Sequence, residues 1–129
     1  MPARECFRHW ARAALGKSGE ITVRVVGAAE ARRLNHRYRG RDYATDVLAF
    51  AYDAPRGSVH GDLVLCAPVI AREAVEQGKP LKAHFAHLTV HGLLHLQGYD
   101  HAGTRDSARM EARERKLLAK LGYPDPYAG

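Results

Sequence analysis

Hydrophobic residues recur along this chain with two periods, and the period changes at glycines and prolines. Over residues 2–15, Cys6, Phe7, Trp10 and Ala14 fall on one side of a helix, and Gly16 and Gly19 end the pattern. Residues 21–26 are rich in β-branched side chains and bounded by Gly27, as a strand is. Residues 28–38 return to helical spacing with Ala31 and Leu34 inward. A polar loop, 39–46, leads into a short strand at 47–51, and residues 54–58 read as a turn. Residues 62–66 form a nearly continuous apolar run, the pattern of a buried strand. Pro68 suits the start of a helix that runs to Gln77 and stops at Gly78. Pro80 opens a longer helix that stops at Gly98. Thr104 is the expected N-cap of a last helix over 105–121, with Asp106 in its first turn. Met110, Leu117, Leu118 and Leu121 would form its inner face. The prediction is one α/β domain over residues 1–129: a mixed sheet of three to four strands covered by four to five helices.

A chain of 129 residues can bury a core without disulfides. Cys6 and Cys66, far apart in sequence, are expected as free thiols. Residues 1–12 carry Arg4, Glu5, Arg8 and Arg12 with no apolar stretch, so no signal peptide is expected. No apolar run is long enough for a membrane-spanning helix, and a cytoplasmic location is the expectation. The net charge of +6 comes mostly from fifteen arginines against five lysines. Arginine's planar fork donates two hydrogen bonds to a phosphate, so nucleic acid is the favoured partner class.

The chemistry concentrates in His91-Gly92-Leu93-Leu94-His95-Leu96-Gln97-Gly98-Tyr99-Asp100-His101. Residues four apart on a helix are rotated by only about 40°, so His91 and His95 share a face. Gly98 tolerates a positive φ, which ends a helix and lets the chain bring back His101 as a third ligand. Three protein nitrogens around zinc leave a position for water, the arrangement of a catalytic site. A straight helix could also align His87, but His87 to His95 spans about 12 Å, too far for one ion. His87 is therefore expected to support a ligand or line the wall, and His84, His60, His36 and His9 to lie at the surface.

The spacing matches the H-E-x-x-H-x-x-G-x-x-H pattern of metzincin proteases except at Gly92, where those enzymes carry the Glu general base. Peptide hydrolysis is disfavoured for that reason. Further segments match a different family. They are Asn35-His36-Arg37-Tyr38-Arg39-Gly40, Thr45-Asp46-Val47-Leu48-Ala49-Phe50 and Gly61-Asp62-Leu63-Val64, then Met110-Glu111-x-x-Glu114 and residues 121–127. Together with the histidine motif they make residues 20–127 resemble the YbeY family of metal-dependent endoribonucleases. Ala44 and Ala51 stand where that family usually has proline, and Ala49 where it has serine. Many members also begin with a strand before the first helix, so either an open sheet edge or a differently placed start site is expected.

The resemblance implies a single-strand-specific endoribonuclease in ribosomal RNA maturation and ribosome quality control. One zinc per chain would sit on His91, His95 and His101. Arg39 corresponds to the family's functionally important arginine and would offset charge on the reacting phosphate. Arg37 and Arg41 would follow the RNA backbone, Tyr99 could stack a base, and Asp100 could orient an imidazole. Asp46 and Asp62 are expected as caps. Beyond RNA, the family implies a small-subunit ribosomal protein and a ribosome-associated GTPase as partners. Two other readings stay open: a metallohydrolase of another substrate class, and a non-catalytic assembly factor with structural zinc.

Overall fold

A computed structural model describes residues 1–16, 18–99 and 103–128, and among these the two hydrophobic periods become five helices and three strands. In order they are α1 (Arg4–Ala14), β1 (Ser18–Val26), α2 (Ala28–Arg39), β2 (Val47–Tyr52), β3 (Ser58–Cys66), α3 (Ala67–Glu76), α4 (Leu81–Leu96) and α5 (Thr104–Lys120). The expected class is confirmed: a three-stranded mixed sheet covered by helices. β3 is central, parallel to β1 from Ser18↔Ser58 to Val26↔Cys66 and antiparallel to β2 from Val47↔Leu65 to Tyr52↔His60. Both β1 and β2 are therefore edges. β3 begins four residues before the apolar run, because its first half alternates and is fixed by pairing with β1 and β2.

Alternation along β3 divides the core. Leu63 and Leu65 face a large cluster built with Phe7 and Trp10 of α1, Phe85 and Leu93 of α4, and Met110 and Leu118 of α5. Val64 and Cys66 face the other way, onto Ala31 of α2 with Leu48 and Val69. T-shaped contacts of Phe7 with Trp10 (5.2 Å) and Phe85 (6.0 Å) lock α1 to α4. The Gln97 amide adds polar fixing, donating to Ala14 O and accepting from Gly16 N. Cys6 and Cys66 are free thiols, as expected. No helix among the described residues is long and apolar enough to cross a membrane.

α4 is buried nearly all round, which corrects the expectation for His84. That residue is 3% exposed and its Nε2 lies 3.0 Å from Glu73 Oε1 of α3. The helix runs between its neighbours and the sheet, so its first half has little solvent face for a histidine to take. Thr104 is likewise the first residue of α5 rather than its cap. Gly103 holds the N-cap position, without a side-chain cap bond.

At Gly92, α4 lies too close to the sheet for a side chain. A Cβ there would lie 2.2 Å from Leu63 Cδ1 and 3.4 Å from Val47 Cγ2. Leu63 is fully buried and has little room to yield. Gly92→Ala is expected to lower stability by about 1–2 kcal/mol despite alanine's better helix propensity. In a Leu63→Ala background, where the space is open, the same change should become neutral or favourable. Denaturant unfolding of the four proteins checks this, and an equal cost in both backgrounds would contradict it.

Candidate metal centre and cleft

α4 ends on a left-handed glycine, Gly98, at φ 99°. Gly98 N–H donates to His95 O at 3.0 Å and Tyr99 N–H to Leu94 O at 3.1 Å, the paired bonds that close a helix on glycine. The chain thus turns where the spacing predicts. His101 and Asp100 lie outside the described residues. His91 and His95, one turn apart, line the same cleft, which is about 370 Å³ in volume. Its other walls are Tyr38 and Arg39 from the end of α2, residues 47–50 of β2, and Gly92. Helix and edge strand therefore bring the histidine motif and Arg39 together, although they lie more than fifty positions apart in sequence.

The loop that follows this arginine is tied down at two points. The buried Asn35 donates from Nδ2 to Tyr43 O at 2.9 Å, and Arg32 grips Asp42 through two bonds of 2.7 and 3.0 Å. That pair holds the Asp42 carboxyl below its usual range. Asp46 caps its neighbour, accepting from Val47 N–H at 2.7 Å, and Asp62 accepts from the Tyr52 hydroxyl. Arg37 lies over the Tyr38 ring, and Arg37 and Arg41 are exposed and are not among the cleft-lining residues. Tyr99 is half-buried against the core under Arg109 and is not among the cleft-lining residues.

Behind His91 stands a residue given no role at the sequence level. Glu114, on the inner face of α5 between Met110 and Leu117, is 0% exposed. Its Oε1 lies 2.8 Å from His91 Nδ1 and 3.1 Å from His87 Nε2, and its Oε2 accepts from the Tyr127 hydroxyl at 2.7 Å. Burial alone would push this carboxyl up. The donors from His87, His91 and Tyr127 outweigh that and hold it at about 2. Burial and Glu114 push the Tyr127 phenol the other way, well above its usual value, so it stays a donor. The readable signal was a lone carboxylate at position 114 inside the apolar stripe formed by 110, 117 and 118.

Tyr127 is held there by the tail after α5. Asp125 takes the Arg115 guanidinium at 3.1 and 3.2 Å and caps Tyr127 N–H at 2.8 Å, while Lys79 Nζ donates to Pro126 O. The guanidinium of Arg115 also sits 5.2 Å from the Tyr127 ring centroid. Ligand atoms of His87, His91 and Glu114 lie within 4.8 Å of one another, and the three could hold a metal ion. His87 Nδ1 is buried without a hydrogen-bond partner. It therefore carries the lone pair, and Nε2–H is the donor to Glu114.

Glu114→Gln should weaken metal binding by about 10- to 100-fold, and Tyr127→Phe by less, measured by competition with a chromophoric chelator. Because the folded-state pKa of Glu114 is lowered, its contribution to stability is present above about pH 4.5 and is lost as pH falls toward 2. The metal-free protein should lose on the order of 2 kcal/mol across that window through this group. Denaturant titrations at several pH values should show this part of the slope missing in Glu114→Gln; an unchanged slope would contradict the assignment.

Comparisons with known proteins agree with this architecture. The endoribonuclease YbeY family pattern matches residues 3–122. A protein named endoribonuclease YbeY from Aromatoleum aromaticum is 61% identical, over 98% of this chain and 82% of its own length. One from Burkholderia lata is 58% identical over 98% and 75%, and one from Nitrosomonas eutropha 54% over 98% and 89%. The solution structure of TM1509 from Thermotoga maritima superposes with a TM-score of 0.56 at 21% identity, covering 98% of this chain and 89% of that one, which shows a shared fold. With a family match over residues 3–122 and half or more of its residues identical to those of these relatives, the chain belongs to the endoribonuclease YbeY family.

Proposed function

We propose that the chain is a zinc-dependent endoribonuclease that cuts single-stranded RNA, with ribosomal RNA as its substrate in ribosome maturation and quality control. The observation that carries this reading is that His91, His95 and Arg39 line one cleft in a chain of this family. The donor set fits a metal on the cleft side. A ligating histidine typically passes its other ring N–H to a carboxylate, and His91 Nδ1 faces buried Glu114 in that manner. The tautomer so fixed puts the lone pair on Nε2. Binding between His87, His91 and Glu114 instead would move the His87 proton onto the buried, partnerless Nδ1, at a cost of about 1–3 kcal/mol. His91, His95 and His101 are therefore the proposed ligands, with His87 and Glu114 behind them.

A bound zinc ion would supply a water of lowered pKa and polarise a phosphoryl oxygen. The chain's own residues do the rest. Glu114 keeps His91 in one orientation and one tautomer. Arg39 projects from the end of α2 into the cleft wall, where a guanidinium can bind two phosphate oxygens at once and offset charge growing on them. Arg37 and Arg41 flank it on the exposed side and follow the RNA backbone. Gly92 leaves no room for the carboxylate that peptide hydrolysis needs, which supports RNA over peptide. The proposed partners are a small-subunit ribosomal protein and a ribosome-associated GTPase.

Cleavage of a labelled single-stranded RNA tests this directly. Chelation should abolish it and zinc should restore it. Removing one ligand with His95→Ala should cost more than 100-fold while the fold is retained, and Arg39→Ala about 10²- to 10³-fold in kcat. Full activity in chelator would contradict the metal's role. Bound zinc without any cleavage would favour an assembly factor.

A further inference from the structure

We propose that Tyr38, at the mouth of the cleft, is the stacking platform for one base of the single-stranded substrate; this deepens the nuclease reading and rests on it. The ring is 57% exposed in the last turn of α2, yet its position is fixed. Phe50 of β2 meets it edge to face, with centroids 5.2 Å apart and planes at 63°. Phe50 is itself half-buried and packed against the second core cluster, so the platform has a firm base. Arg37 lies over the ring at 5.4 Å, and the residue after Tyr38, Arg39, lines the same cleft as Tyr38, His91 and His95.

This places an aromatic ring, the Arg39 guanidinium and the histidine pair around one cavity. Unpaired bases can be splayed out and stacked on an aromatic ring, whereas bases in a duplex cannot. Stacking on such a ring tolerates any base, because every base has a π-face. Tyr38 would therefore favour single strands without imposing a sequence, while Arg39 takes the adjoining phosphate.

Tyr52 and Tyr43, also exposed, lack this setting. The hydroxyl of Tyr52 (56% exposed) donates to Asp62 at 2.7 Å, and Asp53 follows it in the chain. Tyr43 (51% exposed) adjoins Asp42. The Asp62 carboxylate at Tyr52 repels a phosphate backbone, and neither ring lines the cleft. Both tyrosines serve as controls.

The test compares KM for single-stranded RNA with the inhibition constant of an abasic ribose-phosphate chain of equal length, in zinc-loaded protein. Tyr38→Ala should raise KM by roughly 5- to 150-fold and leave the abasic inhibition constant unchanged. Tyr38→Phe should restore the wild-type KM. Arg39→Ala should raise both constants, and Tyr52→Ala should change neither by more than about 2-fold. Tyr38→Leu keeps an apolar cover on Phe50, so its KM should follow Tyr38→Ala; a wild-type KM in Tyr38→Leu would make the ring a structural cover and overturn the proposal. An unchanged KM in Tyr38→Ala, or equal rises in both constants, would overturn it as well. If wild-type protein cleaved no single-stranded RNA, the nuclease reading itself would fall.

Discussion

A carboxylate sealed from water has to be satisfied by the protein, and Glu114 is satisfied by donors from two segments. His87 and His91 of α4 meet one oxygen, and Tyr127 of the C-terminal tail meets the other. The rest of the site depends on this interaction. Leaving a buried charge without partners would cost several kcal/mol, so α4, α5 and the tail are tied into one arrangement. The same bond decides which nitrogen of His91 faces the cleft, so a stability constraint on the back of the helix becomes a chemical setting on its front.

A second constraint works from the sheet. α4 can lie against β3 and β2 only because Gly92 has no side chain, with Leu63 filling the space a Cβ would need. That close approach puts His91 and His95 next to the free edge of β2 and within one cleft of Arg39. It also removes the position from which a carboxylate would serve peptide hydrolysis. The residue that permits the packing thereby narrows the chemistry.

The elements were legible because their signals are local. β-branched runs, helical spacing and the glycines at 78 and 98 fix where strands form and helices stop, and both glycines take positive φ. The histidine motif was legible for the same reason, since its spacing lies within one helix and its stop. His84 was misread because exposure depends on what covers α4 from other segments, and no local pattern carries that. Glu114 lies in a segment that matches the family, which by itself assigns it no role. Its role needs α5 laid against α4 and a tail residue thirteen positions further on. Tyr38 reads as an ordinary helix residue until β2 brings Phe50 against it. The extended start of β3 at Ser58 is set by its neighbours as well.

The most direct measurement is a crystal structure of the zinc-loaded protein with anomalous scattering to place the metal. The predicted result is an ion bound to His91 Nε2 and to His95, with Glu114 Oε1 still accepting from His91 Nδ1–H. An ion held instead between His87, His91 Nδ1 and Glu114 would contradict the central claim that this carboxylate positions the ligand rather than serving as one.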